Sequence, residues 1–148
     1  MLPVLDLGVV RALAIDFDSS CDALDLLEEF QANLPFRVRA IRDAVHAWDP
    51  DRITAALIGL HTHALTVGAL YLHELTARAL SSIDSAHSLV HAMPLAAAPD
   101  FLRDLSREAA LFTDAYAALC AHPALLDSPA TGLIPSYNRL PRCAASPA

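Results

Sequence analysis

The sequence of 148 residues predicts an all-α fold, an antiparallel four-helix bundle with a short helix ahead of it. Three observations predict this. Apolar residues recur at spacings of three and four, the period of a helix with one buried face, and no alternating strand pattern persists. Capping residues stand where one periodic run gives way to the next. The composition is 55% apolar and 18% charged, opposite to that of a disordered chain, and the length supports one domain with its own core.

The elements follow in order. Residues 6 to about 14 read as the short first helix. Ser19 or Ser20 caps a second, which carries Leu24, Leu27, Phe30, Leu34, Val38, Ile41 and Val45 on one face. Pro35 falls inside that run and removes a backbone donor, so a bend or a break is expected there. Asp49 is a good N-cap, Pro50 suits the first helical position, and Asp51 favours the positive end of the helix dipole. From there Ile53, Leu57, Leu60, Ala64, Val67, Tyr71, Leu75 and Ala79 trace one continuous apolar stripe. Gly68, within the stripe, either weakens the helix or permits a close backbone approach.

The stretch 81–98, with four serines followed by Pro94 and Pro99, reads as a connection. A last long helix starts at Pro99 or Asp100 and runs through Phe101, Leu105, Ala109, Phe112, Tyr116 and Leu119. Beyond His122 the composition shifts to Pro, Ser, Gly and Ala. The expected organisation is one bundle over 1–126 and a tail over 127–148, with no repeat at solenoid periods.

Charge and composition exclude several functions. The net charge is −7 and all ten basic residues are arginines, which disfavours a phosphate backbone as partner. The uncharged stretch 53–73 has the length of a membrane span, yet Thr54, His61, Thr62, His63, Thr66 and His73 interrupt it throughout. It reads as a buried helix, and no membrane partner is expected. Cys21, Cys120 and Cys143 are odd in number and far apart, so no disulfide framework is expected, and a reducing cytoplasm is the expected location. No cationic region precedes the apolar residues at the N-terminus, so no secretory signal is evident.

No cofactor, metal or enzymatic site is expected. Four glycines cannot build a phosphate loop with its helix. His61 and His63 are two apart and diverge on a helix, while His87 and His91, even with Asp84, fall short of a zinc ligand set. No Ser-His-Asp or Cys-His constellation stands out.

Several residues then fall into one register. Asp6-Leu7 and Leu13 open the chain, Phe30, Leu34-Pro35 and Arg37 mark the second helix, Asp49 marks the turn, and Gly68-Ala69 with Leu72 and Leu75 closes the pattern. Together they resemble the histidine-phosphotransfer (HPt) domain of bacterial phosphorelays. In that pattern the phospho-accepting histidine lies nine residues after the Asp and ten before the Gly. Both counts converge on Ile58. The resemblance implies an HPt-type bundle whose phosphoacceptor position holds a side chain with no nucleophile. His61 stands where the family keeps Lys, and Thr62 where it keeps Gly.

The chain thus resembles a degenerate, or pseudo, HPt domain without a catalytic residue. The implied partner is a response-regulator receiver domain or a histidine kinase, docked on the face around Ile58, His61, Thr62 and Leu65. Arg37, Arg39 and Arg42 are expected beside that face, where they would complement an acidic receiver pocket; otherwise they form a solvated face paired with Glu28, Glu29 or Asp43. Two other readings stand. His61, one turn on and about 4.5 Å further along the helix, is an alternative phosphoacceptor. A helical adaptor or chaperone unrelated to phosphorelays is the third.

Overall fold

A computed structural model describes residues 3–86 and 99–127. Six helices follow one another: α1 (Leu7–Asp16), α2 (Ser20–His46), α3 (Pro50–Thr66), α4 (Leu70–Ala86), α5 (Pro99–Ala121) and α6 (Ala124–Asp127), with no strand among the described residues.

The first three reversals share one construction. Each helix ends on a residue with positive φ: Asp18 (52°), Trp48 (52°) and Gly68 (76°). At each, the left-handed residue donates its N–H three residues back and the next residue donates five back. The pairs are Asp18 to Ile15 and Ser19 to Ala14, Trp48 to Val45 and Asp49 to Ala44, and Gly68 to Leu65 and Ala69 to Ala64. This Schellman arrangement satisfies the last carbonyls and turns the chain within two residues. Ser19 and Asp49 then cap the following helix, accepting from the Asp22 and Arg52 amides. Consecutive helices therefore emerge antiparallel and adjacent.

Gly68 corrects the expected continuous stripe. It ends α3 instead of lying inside a helix, and its left-handed backbone resets the helical phase. Ile53, Leu57, Leu60, Ala64, Val67, Leu75 and Ala79 are buried as expected, but Tyr71 is half-buried, and on α4 Leu72, Thr76 and Ile83 complete the inner face. The close approach anticipated for Gly68 is present. The Asp6 amide donates to its carbonyl at 2.8 Å, and a Cβ there would lie 2.9 Å from the Asp6 carbonyl oxygen. Pro35, in contrast, does not break α2, which runs unbroken through it between buried Leu34 and Val38.

The bundle closes as a ring. α2 packs on α3 and α5, and α4 packs on α3 and α5. Phe30 of α2 meets Phe112 of α5 edge-on, with ring centroids 5.0 Å apart. α1 and α6 touch one another at the end that holds the α3–α4 reversal, where Arg11 donates to the Leu125 carbonyl at 2.8 Å. Residues 81–86, expected as part of a connection, continue α4; 87–98, with His87 and His91, lie outside the described residues. The expected tail also lies outside them, apart from Asp127, which ends α6. Cys21 is disulfide-bonded, against the expectation of unpaired thiols, because sequence separation says nothing of what folding brings close; Cys120 is a free, exposed thiol.

Candidate functional site on helix α3

Helix periodicity gives α3 an inner stripe and an outer ridge. Ile53, Leu57, Leu60 and Ala64 point inward. Ile58, Thr62 and Leu65 project from the outward side, with Ile58 and Leu65 each 50% exposed. Leaving two large aliphatic side chains half in water at one helical spacing forms a small apolar ridge, which contact with another surface would cover.

His61 departs from the expectation of a solvated residue on this ridge. Three residues on from Ile58, it rotates about 60° towards α4 and is half-buried. Its ring stacks on His73, with centroids 4.0 Å apart and planes 23° from parallel. The contact is reciprocal. Nδ1 of His61 meets the His73 carbonyl at 3.3 Å, and Nδ1 of His73 meets the His61 carbonyl at 3.1 Å. A carbonyl only accepts, so both rings carry a proton on Nδ1, and a neutral His61 keeps its lone pair on Nε2. Fully buried Thr76 donates its hydroxyl to the Leu72 and His73 carbonyls and lies 3.4 Å from His61 Nδ1.

Sequence reasoning missed His73 and Thr76 as partners of His61. A signal existed, because 61 and 73 are equidistant from residue 67, just before the glycine. Using it required knowing that Gly68 reverses the chain.

The three arginines are not brought together. Arg37 lies against α3, its guanidinium 3.6 Å from where a Cβ on Gly59 would stand, and its buried Nε meets no protein acceptor. It borders a cavity of about 150 Å³ between α2 and α3, with Asn33, His63 and Thr66. Arg39 and Arg42 lie on the other side of α2, facing α5, where Arg42 donates to the Ser106 hydroxyl at 3.1 Å. Residues two apart on a helix differ by about 200°, so Arg37 and Arg39 take opposite flanks. The expected pairings with Glu28, Glu29 and Asp43 are also not made.

No group of three or more metal-ligating side chains exists among the described residues. No helix among them is long and apolar enough to cross a membrane. Among the described residues one titratable group is displaced from its ordinary range: burial first, then a hydrogen bond with Cys120, pushes the Tyr116 phenol up. It lies on α5, away from the ridge. What α3 offers chemically is an apolar contact surface, edged by a guanidinium on the α2 side and a histidine pair on the α4 side.

Comparison with protein-family models and with the curated proteins returns no match. Among solved structures, the chain is similar to the HPT domain of a sensor hybrid histidine kinase from Shewanella. The identity is 18% and the TM-score 0.63, with 80% of this chain and 94% of that domain covered. That likeness shows the fold: an all-α bundle of HPt type with a short N-terminal helix.

Proposed function

We propose that this chain is a non-catalytic module of a phosphorelay. It docks a response-regulator receiver domain or a histidine kinase through the outward ridge of α3. The observation that carries the reading is the solvent-facing Ile58 on an HPt-type bundle, since its side chain can bury apolar area but cannot accept a phosphoryl group. Leu65 and Thr62 extend the contact along α3, and Arg37 stands at its edge to meet an acidic partner surface. Arg39 and Arg42, on the far flank of α2, are not part of it. Such a module titrates a relay partner or couples it to another output. The folding unit is the bundle over 1–126.

One observation favours a second reading. The Nδ1–H bond of His61 leaves Nε2 as the nucleophilic nitrogen, as a phosphoacceptor requires. Against it, the ring is stacked on His73 and turned off the ridge, which spoils in-line approach by a partner docked on Ile58. The third reading, a helical adaptor outside phosphorelays, predicts no affinity for receivers at all.

The deciding experiment incubates the protein with a panel of phosphorylated receiver domains and records binding and label transfer together. The expected result is binding without label, lost in Ile58→Asp while the unfolding free energy stays within about 0.5 kcal/mol of wild type, as for an exposed site. Acid-labile label that disappears in His61→Ala establishes the second reading, and absence of any receiver or kinase binding leaves the third.

A further inference from the structure

The groove between α2 and α5 is separate from the α3 ridge. Its floor is apolar, from Leu34 and Val38 of α2 and Ala109 and Ala110 of α5, and it encloses about 340 Å³. Arg39 and Arg42 stand on its α2 rim, one helical turn apart. Ser106 holds the Arg42 guanidinium from the opposite rim, and is itself fixed by its own hydrogen bond to the Leu102 carbonyl.

Among the described residues neither arginine has a carboxylate partner, although the chain carries 17 acids against 10 arginines. Three of the four acids on α5 are engaged within that helix, and the fourth, Asp114, is exposed and bridges to neither arginine. Asp100 and Asp104 are taken by Arg103, and Asp104 and Glu108 by Arg107, all within that helix. Asp43, a turn beyond Arg39, is exposed and bridges to neither arginine. The stretches 87–98 and 128–148 contain no acidic side chain, and the second adds Arg139 and Arg142.

An apolar floor under two unmatched guanidiniums calls for an apolar body with an anionic head. The volume is near the lower bound of small-molecule pockets, roughly 300–1,000 Å³. We infer that the α2–α5 groove binds a small anionic amphiphile, an alkyl chain ending in a carboxylate or phosphate. The alkyl chain lies on Leu34, Val38, Ala109 and Ala110. The head bridges Arg39 and Arg42, which suit two-pronged contact with an oxyanion.

The test titrates the full chain with sodium decanoate, decyl phosphate, decyltrimethylammonium and inorganic phosphate below micelle concentrations, read by calorimetry and amide chemical shifts. Both anionic amphiphiles are expected to bind, with shifts confined to residues 34–42 and 106–113, and inorganic phosphate at least tenfold more weakly. Two variants at exposed positions separate head from chain. Arg39→Gln with Arg42→Gln removes the charges, and Ala110→Phe fills the groove; each is expected to weaken decanoate at least tenfold with unchanged helicity. Equal binding of the cationic amphiphile, unchanged affinity in either variant, or no binding to the wild type overturns the inference. So does a dimer that Ala110→Phe dissociates, which assigns the groove to a second copy.

Discussion

The α3–α4 seam and the α2–α5 seam join antiparallel helices of similar length, yet they differ in how polar groups are used. At the α3–α4 seam the chain reverses within two residues at Gly68, so the helices start in close contact. The polar side chains between them, His61, His73 and Thr76, spend their donors on each other's backbone. The α2 and α5 helices are distant in sequence and meet closely at Phe30 and Phe112. Around Leu34 to Arg42 they part, and two guanidiniums remain without carboxylates. A tight turn does not by itself decide the difference, since the α2–α3 seam follows one at Trp48 and still leaves a cavity of about 150 Å³ beside Arg37; what closes the α3–α4 seam is the pairing of its polar side chains with backbone carbonyls.

This contrast can be broken from either side. The largest effect is expected from Phe112→Ala, which empties a fully buried position at the closed part of the α2–α5 seam. A loss of about 3–5 kcal/mol in urea denaturation is expected; a loss below about 1 kcal/mol would show that this seam contributes little to the core. Gly68→Ala comes next. The new Cβ meets the Asp6 carbonyl and Val9 while the backbone stays left-handed, so a loss of about 2–4 kcal/mol is expected, with weakened docking of α1.

His73→Ala removes the stacked ring and one bond across the α3–α4 seam, with an expected loss of about 1–2 kcal/mol. Its specific signature is in His61, whose imidazole resonances should lose the shift caused by the stacked ring, while the bond from its Nδ1 to the backbone carbonyl of residue 73 remains. The smallest effect has the opposite sign. Trp48 is two-thirds exposed and held at φ 52°, so Trp48→Gly should raise stability by about 0.5–1 kcal/mol, read as a higher midpoint at unchanged m-value. A destabilised Trp48→Gly would show that the indole packs despite its exposure.

How much of this was legible in the sequence varies along the chain. The Asp49-Pro50-Asp51 start, the Ser19 cap and the inward faces of α2, α3 and α5 follow from local chemistry. Ile58 was placed by counting from Asp49 and Gly68, and it does face solvent. The role of Gly68 was half legible. Its closeness to another backbone was foreseen, but the reversal was not, because an apolar stripe that continues through a turn looks like one helix.

Grouping Arg37 with Arg39 and Arg42 failed for a reason the sequence itself contained, since residues two apart on a helix cannot share a face. Local propensity and period determined which residues form helices, where they start, and which faces are apolar. The tertiary structure alone decided that His61 turns from the ridge to stack on His73, that Arg37 lies over Gly59, and that Arg39 and Arg42 face the groove between α2 and α5. Each of those depends on which helix lies opposite, a relation between residues far apart in the chain that no local pattern encodes.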